Sequence, residues 1–178
     1  MRSGNLDWRD SDAVGPIRDQ GTSCGSCWAF ATVCTLEAAY FFRTGNFTSL
    51  SEQQLVDCAP EDDGCFGCNG GVSAFAMLYT DKQPVMSAED YPYVGEDTTC
   101  SYDSSGALIS AQGTTVIASN EPAMMQAALA LGPLAVSVDA SSFAFKHYKG
   151  SKVFSNEKCY SEGLNHAVNI VGYSVSGD

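Results

Sequence analysis

Cysteine and histidine are the residue types here best suited to nucleophilic and acid–base chemistry near neutral pH, and the placing of Cys27 singles it out. The segment Gln20-Gly21-Thr22-Ser23-Cys24-Gly25-Ser26-Cys27-Trp28-Ala29-Phe30 sets a cysteine where a helix should begin. Unpaired N–H groups and the dipole at a helix N-terminus stabilise a nearby anion, so a thiolate is favoured there and can act as a nucleophile. Its base must come from 2 histidines. His166 opens Ala167-Val168-Asn169-Ile170-Val171-Gly172-Tyr173, a β-rich run that reads as a buried strand able to hold an imidazole rigidly. His147 sits among Lys146, Lys149 and Gly150 and reads as a side chain of a strand edge or loop, without a catalytic role.

A wider set of residues resembles the mature domain of the papain-like cysteine proteases, the family of the lysosomal cathepsins. They are Leu6-Asp7-Trp8-Arg9, Gln20 with Cys24 to Phe30, Leu50-Ser51-Glu52-Gln53-Gln54-Leu55-Val56-Asp57-Cys58, Gly67-Cys68-Asn69-Gly70-Gly71, Tyr91-Pro92-Tyr93, and Leu164-Asn165-His166-Ala167-Val168 with Val171-Gly172-Tyr173. The histidine lies about 140 residues beyond the cysteine, as in that family. The resemblance implies a cysteine endopeptidase with Cys27 as nucleophile, His166 as general base and acid, and the Gln20 amide with the Cys27 N–H as oxyanion hole. It also implies an α+β fold in two parts with the active-site cleft between them. A helical part covers about residues 11–112, and a β-rich, incomplete barrel-like part covers about 1–10 and 113–178. Gly70 and Gly71 match a backbone rail for an extended peptide, Val72, Ser73, Ser137 and Leu164 match a modest, mostly apolar side-chain pocket, and Asn165, next to the base, is implied to bind substrate with them. Cys24 would pair with Cys68 and Cys58 with Cys100.

The chain departs from the family pattern in two places. Thr22 and Ser23 both stand between the Gln-Gly pair and Cys24 where one residue is usual, so the loop must bulge or Gln20 is displaced. No asparagine follows Asn169, and both tryptophans, Trp8 and Trp28, lie near the start, so the orienting asparagine and its companion tryptophan are absent and the chain reads as truncated at its C-terminus. Cys159 would then lack its usual partner. Cys34 and Cys65 are extra: Cys34 reads as a small buried thiol, with a further Cys34–Cys65 bridge left open because sequence cannot assign connectivity.

Rival motifs are weaker. Cys24-x-x-Cys27 has its tryptophan after the pair, not before it as in a redox motif. Pairing it with Cys65-x-x-Cys68 would leave a gap well beyond the ~15–20 residues of a usual four-thiolate zinc site. Gly21-Thr22-Ser23-Cys24-Gly25 fits the serine-hydrolase elbow, but the polar, broken stretch before it cannot supply the required buried strand. No metal or cofactor is implied.

The elements that must position these residues can be read from local signals. A helix should run from Cys27 to Thr44 and stop at Gly45, with Trp28, Val33, Leu36, Ala39 and Tyr40 as its apolar stripe. Ser51-Glu52-Gln53-Gln54 resembles a capping box, Val72 to Tyr79 reads as a helix, and another starts at Asn120-Glu121-Pro122 and ends at Leu131. Leu134, Val136 and Val138 then alternate as a strand, with Val168 and Ile170 in a second.

With 178 residues, 44% of them hydrophobic, the chain can bury a core. Its net charge of −12, from 9 basic and 21 acidic residues, argues against nucleic acid as partner. Its 8 cysteines point to an oxidising compartment. The most apolar stretch, Ala123 to Val138, is about 16 residues, short of the ~20 that span a bilayer. The expected setting is a lysosome, digestive vacuole or secreted fluid. The expected partners are polypeptide substrates, an inhibitory pro-segment and protein inhibitors, acting on a monomer. Asn46-Phe47-Thr48 is a glycosylation sequon. The alternative function is a catalytically impaired homologue that binds peptides or proteins.

Overall fold

The structure, a computed structural model, describes residues 4–150, 153–154 and 163–175. Its central element is helix α1, Cys27–Thr44. The helix stops at Gly45, whose left-handed backbone (φ 75°) lets its N–H bond the Phe41 carbonyl, a conformation glycine adopts without a Cβ clash. Trp28, Val33 and Leu36 are buried as the periodicity predicts, but Ala39 is exposed and Ala38 takes the inward place. The burial also takes in Glu37, a carboxylate that no apolar stripe would include.

Helix α2, Glu52–Cys58, begins at Ser51, whose Oγ accepts from the Gln54 N–H at 2.9 Å. The reciprocal half of the capping box does not form. Gln54 turns instead to strand β2, Val85–Met86, accepting from the Met86 N–H at 2.8 Å and donating to the Pro84 carbonyl at 3.1 Å. β2 pairs antiparallel with β3, Ala107–Ile109. Helix α3 covers Ser73–Lys82, starting one residue later and running three residues further than the sequence pattern predicts, and it packs on α1. Trp28, Val33, Leu36, Leu50, Leu55, Ala76, Val85 and Ile109 make the core that joins these elements. Burying such side chains is worth about 1.5–3 kcal/mol each before the entropy of ordering them is counted.

Helix α4, Glu121–Leu131, matches its sequence boundaries, with the Asn120 side chain capping the Ala123 N–H at 3.0 Å. Strand β4, Leu134–Val138, pairs antiparallel with β5, His166–Ile170, in a register that sets Val138 opposite His166 and Leu134 opposite Ile170. The run after His166 is half-buried and not one strand. It breaks at Val171, and Gly172–Tyr173 forms a short strand (β6) that pairs with Leu6–Asp7 (β1) near the N-terminus. Among the described residues the strands form three separate two-stranded pairs with no closed barrel, which agrees with the α+β fold and incomplete β-rich part expected from the resemblance. For His147 the structure takes the loop of the two expected placements. It lies in the turn that ends a four-residue helix, Phe143–Lys146 (α5), with its ring stacked on Phe143 at 3.9 Å. No described helix is long and apolar enough to cross a membrane.

Candidate active site

Cys27 is the first residue of α1 and is half-buried, with the N-cap Ser26 fully buried behind it. The Ser26 carbonyl accepts from the Ala29 and Phe30 N–H groups at 2.8 and 3.2 Å. The Ser26 hydroxyl caps nothing, and among the described residues no acceptor takes the Cys27 N–H. A donor therefore remains free beside the thiol. The helix head is clamped from the other side by the Cys24–Cys68 disulfide and by the Gly25 N–H bonding the Cys68 carbonyl at 2.8 Å. A Cβ on Gly25 would lie 2.8 Å from that same oxygen, so only glycine permits the approach. Trp28 Nε1 adds a bond to the Gly67 carbonyl at 3.1 Å.

His166 reaches this helix head through the direction of its strand. Asn169 Nδ2 donates to the Ala31 carbonyl at 2.9 Å and to Thr35 Oγ1 at 3.3 Å, tying β5 to the middle of α1. Further along, the Trp8 N–H bonds the Val171 carbonyl at 2.8 Å, and the Trp8 ring lies 5.0 Å from that of Phe42, near the end of α1. The chain from β5 to β6 thus advances in the same direction as α1. Three strand residues back from Asn169 are ~10 Å, and four helix residues back from Ala31 are ~6 Å, so His166 falls beside the head of α1. The start of α1 and the start of β5 thus lie toward the same end of that helix. His166 and Cys27 are not joined by a hydrogen bond among the described residues.

Gln20 is half-buried, and its amide donates to the Cys24 carbonyl at 2.9 Å. The one-residue insertion is absorbed outward. Gly21 takes a left-handed φ of 77°, its N–H bonds Asp19 Oδ1 at 2.8 Å, and Gly21, Thr22 and Ser23 are exposed. The Gln20 side chain therefore folds back toward the Cys24–Cys27 turn despite the longer loop.

The remaining predicted residues are spread around this centre. Gly70 has φ 113° and open space on its Cβ side, whereas a Cβ on Gly71 would sit 2.7 Å from the Trp28 ring, so packing alone requires glycine there. Val72 is 46% exposed and Leu164 53% exposed, and Ser137 is exposed, so three of the four pocket residues present open surface. The Ser73 hydroxyl instead donates to the Trp28 carbonyl at 3.0 Å. Asn165 is a strand-end brace: its N–H bonds the Val138 carbonyl at 3.0 Å and its Oδ1 accepts from the Ala140 N–H at 2.9 Å. The second disulfide joins Cys58 and Cys100. Cys34 and Cys65 are free thiols, so the extra bridge between them is not formed, and Cys159 lies outside the described residues. Among the described residues no three His, Cys, Asp or Glu side chains gather as metal ligands.

Three features around the site were not legible in the sequence. Arg18, two residues before Gln20, ion-pairs with two buried carboxylates, Glu37 on α1 and Glu52 on α2. Asn169 fastens β5 to α1, a role that nothing in a β-rich run signals. Tyr93 places its hydroxyl between Gln20 and Ser26. Its only sequence signal is the Tyr91-Pro92-Tyr93 turn, which says nothing of a contact with residues about 70 positions earlier.

Known proteins bear on this geometry. The sequence profile of the papain family cysteine proteases matches residues 3–178. Procathepsin L of Rattus norvegicus is 40% identical over 173 residues, which are 97% of this chain and 51% of that protein. Digestive cysteine proteinase 1 of Homarus americanus is 42% identical over 177 residues, covering 98% of this chain and 54% of that protein. The solved digestive procathepsin L2 proteinase from the larval midgut of Tenebrio molitor superposes with a TM-score of 0.90 at 34% identity, over 99% of this chain and 55% of its own. The chain thus spans about half the length of the relatives it matches. A cysteine heading a helix, a histidine strand running beside that helix and a profile match over nearly every residue agree: this chain belongs to the papain family of cysteine proteases.

Proposed function

We propose that the protein carrying this chain is a cysteine endopeptidase. The observation that carries the reading is the convergence of Cys27 and the start of β5 on the head of α1. In the reaction the Cys27 thiol gives its proton to His166, the sulfur attacks a peptide carbonyl carbon, and the carbonyl π electrons move onto oxygen. The uncapped Cys27 N–H and the Gln20 amide receive that oxyanion. As the C–N bond breaks, His166 gives its proton to the leaving amine, and an acyl-enzyme remains. Water, deprotonated by His166, then attacks the thioester and frees the acid and the thiol. The Gly70–Gly71 segment borders the approach of an extended chain, with Val72, Ser73, Ser137 and Leu164 offering the neighbouring side-chain surface.

The relatives extend the reading to setting and control. All three named above are procathepsins or digestive proteinases by name, which supports synthesis with an inhibitory pro-segment and work in a lysosomal, digestive or secreted fluid on protein substrates. The test is hydrolysis of a fluorogenic peptide amide by the protein expressed from its full coding sequence, beside its Cys27→Ala variant. Turnover that the substitution abolishes is the expected result. Equal turnover in both, or none in the native protein, would leave a peptide-binding homologue as the better description.

A further inference from the structure

We propose that Tyr93 is a positioning residue for the oxyanion site, its hydroxyl setting the spacing between the Gln20 segment and the head of α1. This rests on the peptidase reading above and deepens it.

The Tyr93 hydroxyl lies 2.8 Å from the Gln20 carbonyl and 2.7 Å from Ser26 Oγ. A carbonyl only accepts, so the single phenolic proton goes to Gln20, and Ser26 must donate its own proton to the Tyr93 oxygen. That assignment explains why Ser26, a residue type suited to capping, caps nothing. Its hydroxyl is drawn sideways to Tyr93, and the Cys27 N–H beside it stays without an acceptor among the described residues. One phenol oxygen therefore joins the backbone of one proposed oxyanion donor, Gln20, to the residue preceding the other, Cys27.

Such a bridge positions only if Tyr93 itself is held. Its ring meets Phe30 of α1 edge-on, with centroids 5.0 Å apart. The loop around it is fastened to α2. Gln53 Oε1 accepts from the Val94 N–H at 2.9 Å, and Gln53 Nε2 donates to the Glu96 carbonyl at 2.8 Å. Asp57 accepts from the Thr98 N–H at 2.8 Å, and Asp97 accepts from the Cys68 N–H at 2.6 Å. Gln53 is 1% exposed, so its bonds are shielded from competing water. The Cys58–Cys100 disulfide ties the far end of the loop to the end of α2. The fastening matters because a misplacement of about 1 Å in a catalytic group costs on the order of 100-fold in rate.

Tyr93→Phe removes the hydroxyl and keeps the ring. In the protein expressed from its full coding sequence, assayed on a fluorogenic peptide amide, kcat should fall about tenfold while KM stays within about twofold, the pattern of an interaction felt in the transition state. Alkylation of Cys27 by iodoacetamide, which builds no oxyanion, should keep its rate within about twofold. Ser26→Ala, which breaks the other arm, should lower kcat in the same sense. In a Gln20→Ala background, Tyr93→Phe should cost less than about twofold, because the group it positions is gone. An unchanged kcat, a change confined to KM, or the full loss persisting in Gln20→Ala would overturn the proposal while leaving the peptidase reading intact. A native protein without turnover would instead overturn the peptidase reading, and this proposal with it.

Discussion

Cys27, Cys34 and Cys65 keep free thiols among the described residues, and their surroundings separate them. Burial pushes the Cys34 thiol up to about 11, with the Glu37 charge adding to the rise and Arg18 opposing it. Burial likewise pushes Cys65 up to about 11. Neither forms thiolate at neutral or acidic pH, whereas Cys27 stands half-buried at a helix head. Iodoacetamide at pH 6 should therefore modify Cys27 and spare Cys34 and Cys65, as read by peptide mass mapping of the native protein. Labelling of Cys34 or Cys65 as fast as Cys27 would contradict this account of the three sites. The place of Cys27 at a helix start was legible in the sequence because it depends on local helix geometry. The free state of Cys34 and Cys65 was not, because pairing depends on Cα separations that only packing sets.

The elements show the same division between local and distant causes. Gly45, Asn120 and Ser51 marked the end of α1 and the starts of α4 and α2 because capping acts within a few residues. The four-residue helix before His147 escaped notice because one turn has too few residues to show a period, even with Ser142 capping it. The attachment of β5 to α1 was equally hidden. Asn169 makes it by donating to the Ala31 carbonyl and Thr35 Oγ1, so Asn169→Ala should destabilise the fold by about 1–3 kcal/mol. Urea unfolding should show a lower midpoint with an unchanged slope. Because the same bonds hold the strand that begins with His166, peptide turnover should fall too. A variant with native midpoint and turnover would show that strand pairing with β4 alone places the histidine.

At the scale of the whole molecule, Arg18 reaches into a largely apolar core. It pairs with Glu37 Oε1 and lies 2.6 Å from Glu52 Oε1, and it also donates to the Leu50 carbonyl at 3.3 Å. The Leu50 N–H in turn donates to Glu37 at 2.9 Å. Glu52 Oε1 is close enough to Arg18 for an ion pair but has no aligned hydrogen-bond donor. Burial accordingly pushes Glu52 up to about 7 from its ordinary 4.5, with Arg18 opposing and Glu37 adding to the rise, and burial also raises Glu37. A carboxyl whose pKa is higher folded than unfolded adds stability that is complete below the unfolded value and lost as pH climbs through the folded one. The fold should therefore gain stability between pH 7 and 4.5, the range of an acidic vesicle. The thermal midpoint should rise by a few degrees from pH 7.5 to pH 5, and Glu52→Gln should shrink that rise. Relief of the net charge of −12 would act in the same direction but would survive the substitution. A midpoint rise identical in both proteins would assign the effect to net charge alone.

The sequence by itself determined what depends on near neighbours: a cysteine at the start of a helix, the glycine that ends that helix, the caps of α2 and α4, and the alternation of β4. It also carried the family likeness, because the matching motifs run through nearly the whole chain. The tertiary structure decided what depends on residues dozens of positions apart. Asn169 lies against Ala31, Tyr93 lies between Gln20 and Ser26, and Arg18 lies between Glu37 and Glu52. Each is a polar contact whose partners come from different elements. No period or propensity encodes such a meeting, since it exists only once the apolar core has brought those elements within hydrogen-bonding distance.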